Sequence, residues 1–415
     1  MAPAAVLGCG LVIAGCILGI SFFDRRTYPL VFVACTALAG IAYLRTLWLL
    51  GRFAGGSNRV LALCLALAAL WRVPLLLNPP TLSTDVYRYV WDGRIQRLGY
   101  DPYIVVPGNS ALRHLHTAET VRMNHPEVPT PYPAGAELFF RAVMMVDDSA
   151  RAVKFAIFLC DAALVAVLLC WLMSSQRSPW WVLAYAWNPL VALEGAGNGH
   201  VDLLGALCLV LTAASLARGG RAAAAVAFAL AVGVKFVPAI LAPLFWRRVR
   251  LRDAALCVGI LAALYFPFLG HGRLPLGSLG NYLAHWRSNA PVYSALELVF
   301  PTAGLIGVPV GFGFGVALWE RWHLPLDSPE AWAWPVAATL LFAPTFYPWY
   351  LLWVTPFLFT PRTLPLAVWT VSSLSIYWSL PVWSTTVVEY GPVLGVAWWM
   401  LARSVGARRA ASSSV

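Results

Sequence analysis

VLALCLALAALWRVPLLLNPPTLSTDVYRYVWDGR, residues 60–94, decides the fold. Residues 60–77 form an apolar run long enough to cross a bilayer as a helix. Within a few residues of its end, the segment Ser83–Arg94 brings two aspartates, two arginines, two tyrosines and a tryptophan. Charges beside a bilayer are costly, so such a cluster points to chemistry or transport. Helical spacing places Asp85, Arg88 or Tyr89, and Asp92 on one face. An interfacial helix with Trp91 and the tyrosines at headgroup level fits the same spacing.

The rest of the chain agrees with a membrane setting. Of 415 residues, 60% are hydrophobic and 11% charged, and the mean hydropathy is +0.71. This is an all-α polytopic membrane composition, far from that of a soluble domain. The net charge of +11 sits in short turns (Arg52 and Arg59; Arg218 and Arg221; Arg247, Arg248, Arg250 and Arg252; Arg403, Arg408 and Arg409). That is the positive-inside pattern, which excludes a nucleic-acid surface. The eight cysteines lie in apolar stretches without zinc or disulfide spacing and read as small core residues. The apolar run to Phe23 reads as a retained helix and not a cleaved signal.

Apolar runs predict spans near 4–23, 30–49, 60–77, 152–173, 180–196, 200–217, 253–269, 303–319, 331–346, 348–360, 363–383 and 388–402, about 11–13 helices in all. With the Arg52/Arg59 turn cytoplasmic, residues 78–150 lie outside and carry eight of the eighteen acids. A second outer loop spans 270–291, a third turn holds Phe346–Tyr350, and 404–415 reads as a disordered cytoplasmic tail. Residues 222–245 break the parity, because arginine turns flank both sides. Gly233 and Pro238 bracket Lys235, so a helix broken into two short halves is expected there.

Trp and Tyr faces suit sugar CH surfaces, while Asp, Asn and Arg suit hydroxyls and phosphates. Sugar transfer from a lipid phosphate needs one carboxylate to deprotonate the acceptor, since the leaving phosphate needs no strong acid. Asp85 is the natural base, and Arg88, Lys235 or Arg287 the natural phosphate partners. Lys154 and Asp161, seven apart in one span, read as an ion pair. His114, His116 and His125 fit no metal-ligand spacing and read as solvated. Trp286 and Trp349 read equally as interfacial anchors or sugar platforms.

An ordered set of motifs resembles the GT-C class of membrane glycosyltransferases, in particular the bacterial polyprenyl-phosphomannose-dependent mannosyltransferases and their glycosyltransferase family 87 relatives. The set is Thr84–Arg94 running on to Gly99–Tyr103, Pro131-Tyr132-Pro133, Lys154 with Asp161, Trp187-Asn188-Pro189, Gly199–Asp202, Lys235–Pro238, Trp286–Asn289 and Tyr347–Tyr350. The resemblance implies a GT-C-like bundle with a catalytic extracytoplasmic loop at 78–150 carrying short helices. It implies a hexose, most readily mannose, moved with inversion from a polyprenyl-phosphate donor to an extracytoplasmic or lipid-linked glycan acceptor. Asp85 would be the general base, Lys235 and Arg287 would hold the donor phosphate, and Arg88, Tyr89, Asp92, Arg94, Tyr132, His200, Asp202, Trp286, Asn289, Tyr347 and Trp349 would bind substrate. No cofactor is called for beyond the lipid-linked donor, no residue is assigned as a metal ligand while metal dependence is left open, and the site would face the outside of a bacterial cell membrane. Val201 between His200 and Asp202, and Ala134 after Pro133, depart from the pattern and bear on sugar specificity. The competing function is a transporter or flippase of a lipid-linked sugar, which predicts charges spread through the bundle.

Overall fold

The computed structural model describes residues 2–52, 55–270, 272 and 274–412; the side chains of 2, 302, 303 and 404–412 lie outside the description. The chain is helical: α1 (Ala2–Phe22), α2 (Pro29–Leu50), α3 (Asn58–Leu77), α4 (Asp85–Arg97), α5 (Ala134–Met144), α6 (Ala150–Ser174), α7 (Leu183–Ala186), α8 (Pro189–Val191), α9 (Asp202–Ala217) and α10 (Arg221–Val234). There follow α11 (Leu251–Tyr265), α12 (Leu279–His285), α13 (Pro291–Glu297), α14 (Thr302–Leu305), α15 (Val308–His323), α16 (Glu330–Leu341), α17 (Leu364–Ser372) and α18 (Val382–Ser412). The tail expected at 404–415 lies outside the described residues, apart from the backbone of α18.

Among the described residues, five helices are long and apolar enough to cross a membrane: Pro3–Phe22, Pro29–Leu50, Asn58–Leu77, Ala150–Ser174 and Leu251–Phe268. The fold is therefore an all-α polytopic membrane protein. Ser57 and Ser149 start α3 and α6 by accepting the amides of Arg59 and Ala152, which satisfies donors a helix start leaves open.

Several other apolar stretches do not form single spans. Residues 180–196 fold as a 3-10 turn (Pro179–Val182), α7, α8 and a π-helical turn (Ala192–Gly197). Residues 348–378 fold as 3-10 turns around α17. Prolines 179, 189, 348, 356, 361 and 365 remove backbone donors there, and nearly all of 180–196 is buried, where protein replaces lipid around irregular backbone.

The parity break at 222–245 is a re-entrant hairpin. Helix α10 ends at Lys235, whose backbone is extended (φ −156, ψ 145), and a 3-10 helix, Val237–Phe245, returns. With 14 residues, α10 rises roughly 21 Å at 1.5 Å per residue, less than a hydrocarbon core of about 30 Å. Alone, α10 is therefore too short to span.

One end of the bundle gathers arginine turns. Arg218 donates to Cys170 O and Ser174 Oγ at the end of α6, Arg177 to Asp327 O, and Arg248 to Arg321 O and Leu324 O. The opposite end gathers loops 23–28, 78–149, 274–291 and 343–350. Ser288 and Thr345 tie the last two together through the one isolated β-bridge among the described residues.

Candidate active site

Helix α4 is buried along 86–93. It packs on α5 by stacking Tyr89 on Phe140 (centroids 4.4 Å, planes 9° apart), and Gly93 has no room for a Cβ against the Phe140 carbonyl. The approach to α4 is pinned by Asn198 Oδ1, which accepts the amides of Leu82 (3.0 Å) and Ser83 (3.3 Å). Asp85 thus sits in the first turn, where the helix dipole favours a carboxylate. Asn124 donates to its Oδ1 at 2.7 Å, and His200 Nδ1 is 3.9 Å from its Oδ2.

Asp85 lines a cavity of about 920 Å³ at the loop-rich end of the bundle. Arg25, Arg26, Arg88, Arg122 and Lys235 also line it, against Asp24 and Asp85, so cations outnumber carboxylates. Lys235 stands at the hairpin tip. Its Nζ donates to Asp202 Oδ1 at 2.7 Å and lies 4.0 Å from the centroid of the Tyr350 ring. Asp202 is buried at the start of α9 and accepts Trp353 Nε1 with the same oxygen.

Aromatic rings make another wall. Tyr347 stacks on Trp349 (4.5 Å, 3°), and Trp349 on His200 (4.2 Å, 10°). Trp286 meets His125 and Tyr282, and the hydroxyls of Tyr282 and Tyr350 are 2.5 Å apart. Phe236, Val237, Ile240, Ile306, Val310 and Leu340 make an apolar side.

Of the residues singled out from the sequence, Asp85, Arg88, Tyr89, Tyr132, Lys235, Trp286, Tyr347 and Trp349 line this cavity. Asp92 lies beneath it, holding Arg88 Nε at 2.9 Å. His200 and Asp202 lie behind the wall, covered by Trp349 and Lys235. Arg94 pairs with Asp148, away from the cavity. Asn289 donates to Glu389, and Arg287 is held by Glu297 at 3.0 Å, so neither is on the lining.

The expected Lys154–Asp161 pair does not form. Lys154 donates to Leu75 O (2.7 Å) and Asn78 O (2.5 Å) at the end of α3, while Asp161 pairs with Arg72 at 2.6 Å and accepts Tyr185 Oη at 2.7 Å. Seven residues of helix separate the two by roughly 10 Å along the axis. His116 stacks on Trp91 (4.1 Å) and bonds Thr120 and Pro107. Among the described residues, no three His, Cys, Asp or Glu side chains converge as a metal site would require.

Asn124, Arg26, Arg122 and Glu194 escaped the sequence reading. Glu194 is fully buried, within reach of His200, Asn198 and Tyr377. Its signal was a lone acid inside an apolar run.

Two further acids share a buried site under α4. Glu137 accepts Thr130 Oγ1 (2.6 Å) and Gln96 Nε2 (2.8 Å). Burial, and then the charge of Asp92, push its carboxyl well above the usual range. Burial also raises Asp92, against the pull of the Arg88 guanidinium, whose Nε donates to it.

Residues 4–249, more than half of the chain, match the family described as alpha-(1->6)-mannopyranosyltransferase, N-terminal domain. An alpha-(1->6)-mannopyranosyltransferase A of Mycobacterium tuberculosis is 25% identical over 378 residues, covering 79% of this chain and 71% of that protein. A protein of Mycolicibacterium smegmatis named "Probable alpha-(1->6)-mannopyranosyltransferase" is 38% identical over 96 residues, 22% of this chain and 17% of its own length. A second Mycobacterium tuberculosis alpha-(1->6)-mannopyranosyltransferase is 42% identical over 64 residues, 15% of this chain and 11% of its own. No solved structure matches. The family match contains Asp85, His200, Asp202 and Lys235 and stops before Trp286 and Trp349. The chain belongs to the alpha-(1->6)-mannopyranosyltransferase family.

Proposed function

We propose that the protein is a mannosyltransferase that moves mannose from a polyprenyl-phosphate donor to a glycan or glycolipid acceptor at the outer face of a bacterial cell membrane. The observation that carries this reading is Asp85 standing on the wall of a cavity lined both by cations and by apolar side chains. The apolar side suits isoprene units, and Arg26, Arg122 and Lys235 suit a departing phosphate. Arginine turns at the opposite end of the bundle support an outward-facing site.

In this reading the acceptor hydroxyl attacks the anomeric carbon, its proton passes to Asp85, and the carbon–oxygen bond to phosphate breaks with the electron pair leaving on phosphate. One displacement inverts the anomeric centre, so an α-linked product requires a β-linked donor. Tyr347 has one face on Trp349 and offers the other to the sugar, while Trp349, closed between Tyr347 and His200, backs it. Their stack fixes both rings before substrate arrives.

The test is Asp85→Asn, assayed with labelled polyprenyl-phosphomannose and a mannoside acceptor. Removal of a general base is expected to lower turnover by about 100- to 10,000-fold while donor binding persists. Wild-type turnover from this variant would refute Asp85 as base. An α-linked donor consumed as readily as the β form would refute inversion.

A further inference from the structure

The loop joining the π-helical turn to α9 folds back on itself. Gly199 takes a left-handed conformation (φ +72), one that suits glycine, and the His200 amide then donates to Glu194 O at 3.0 Å. This return brings the imidazole between two acids of different elements. His200 Nε2 is 3.3 Å from Glu194 Oε2, and Nδ1 is 3.9 Å from Asp85 Oδ2. The ring is fully buried, one face lies flat on Trp349, and neither nitrogen has an aligned hydrogen-bond partner.

The chemistry of the three groups restricts where protons go. A carboxylate only accepts, and Glu194 is held as an acceptor by Tyr377 Oη at 2.6 Å on Oε1 and Asn198 Nδ2 at 3.2 Å on Oε2. The ring nitrogen facing it must therefore carry the hydrogen, which leaves the Nδ1 lone pair facing Asp85. Two acceptors then confront each other, and one added proton turns that confrontation into a hydrogen bond. The 3.9 Å gap must shorten by about 1 Å for this, a tightening common when substrate arrives.

We propose that Glu194 is a positioning residue, which fixes the His200 ring so that Nδ1 takes over the proton Asp85 removes from the acceptor hydroxyl. This rests on the assignment of Asp85 as base. The hydroxyl O–H bond breaks as the new glycosidic C–O bond forms, and the bond from the anomeric carbon to the phosphate oxygen breaks with its electrons on phosphate. The proton moves through Asp85 Oδ2 to His200 Nδ1. The Glu194 carboxylate balances the imidazolium, and Asp85 is again a carboxylate before product leaves.

Other charged and titratable groups on the elements packed here include Arg88 and Tyr89 of α4, Lys154 of α6, Asp202 of α9, Lys235 at the hairpin tip, Tyr350 and Tyr377. Lys154 is engaged by the Leu75 and Asn78 carbonyls and Asp202 by Lys235. Among the described residues, Asp85 and Glu194 are the two carboxylates within 4 Å of the ring nitrogens.

The experiment is the pH dependence of kcat in nanodiscs for wild type, Glu194→Gln, Tyr377→Phe, His200→Gln and Asp85→Asn. The relay needs the Nδ1 lone pair free when turnover begins, so kcat should rise with pH along an acid limb. Glu194→Gln removes the charge that favours imidazolium, which should move the acid limb to lower pH by about one unit and lower the plateau at least about tenfold. Tyr377→Phe removes a hydrogen bond from Glu194 and strengthens its hold on the imidazolium, so the limb should move to higher pH. A merely structural Glu194 would move neither limb. Should Glu194→Gln fail to fold, Tyr377→Phe alone decides the direction. Unmoved limbs, or wild-type kcat in His200→Gln, overturn the relay while an inactive Asp85→Asn leaves the base in place; an active Asp85→Asn overturns both.

Discussion

Lys235 Nζ lies 2.7 Å from Asp202 Oδ1, a bond that joins the tip of the re-entrant hairpin to the first residue of α9. The lysine is one-fifth exposed and the aspartate nearly fully buried. Replacing the lysine leaves a carboxylate held by Trp353 alone, and a buried charge that loses its partner costs roughly 3 kcal/mol or more. Lys235→Met should therefore lower thermal stability. Adding Asp202→Asn, which keeps an acceptor for Trp353, should restore stability to within roughly 1 kcal/mol but not donor affinity. A double variant that regained both stability and donor binding would remove Lys235 from the proposed phosphate site.

Asp92 and Glu137 predict how stability follows pH. Both carboxyls are raised in the folded state, so between their ordinary values and the raised ones the folded protein binds more protons than the unfolded chain. Stability is then complete below the unfolded pKa, near 4, and declines as pH rises toward the folded values. Glu137→Gln should flatten that decline. The measurement is the unfolding midpoint against pH from 4 upward, and an unchanged slope in the variant would contradict the assignment.

Arg72 and Asp161 predict a strong coupling inside the membrane. Both side chains are 3% exposed, so the single variants Arg72→Met and Asp161→Leu should each cost about 3–5 kcal/mol, and the double variant much less than their sum. A double-mutant cycle between Lys154 and Asp161 should give a coupling within about 0.5 kcal/mol of zero. Coupling of similar size in both cycles would contradict the partners described here.

The sequence was most informative where a charge had no apolar alternative. Asp85, the arginine turns and the broken stretch at Lys235 were legible because bilayer costs confine charges to few places. Partners were harder to read. Lys154 and Asp161 share a helix face but stand two turns apart, and each finds a nearer partner on or around α3 that linear spacing does not reveal. Glu194 joins the site because a π-helical turn and Gly199 reverse the chain, and nothing in its apolar neighbours signals that reversal. Arg287 looked equivalent to Lys235 in motif position, yet Glu297, ten residues on, draws it aside.

The shortness of α10 ties this protein to membrane thickness. The hairpin tip is anchored to α9 by an ion pair and cannot slide along the bilayer normal. Longer acyl chains would lift the headgroup plane while Lys235 stays put, forcing a donor's phosphate to sink further through hydrocarbon. If Lys235 holds a lipid-linked phosphate as proposed, turnover should fall in vesicles as lipid chains lengthen and rise in thinner ones, and bilayer composition would then control reaction rate.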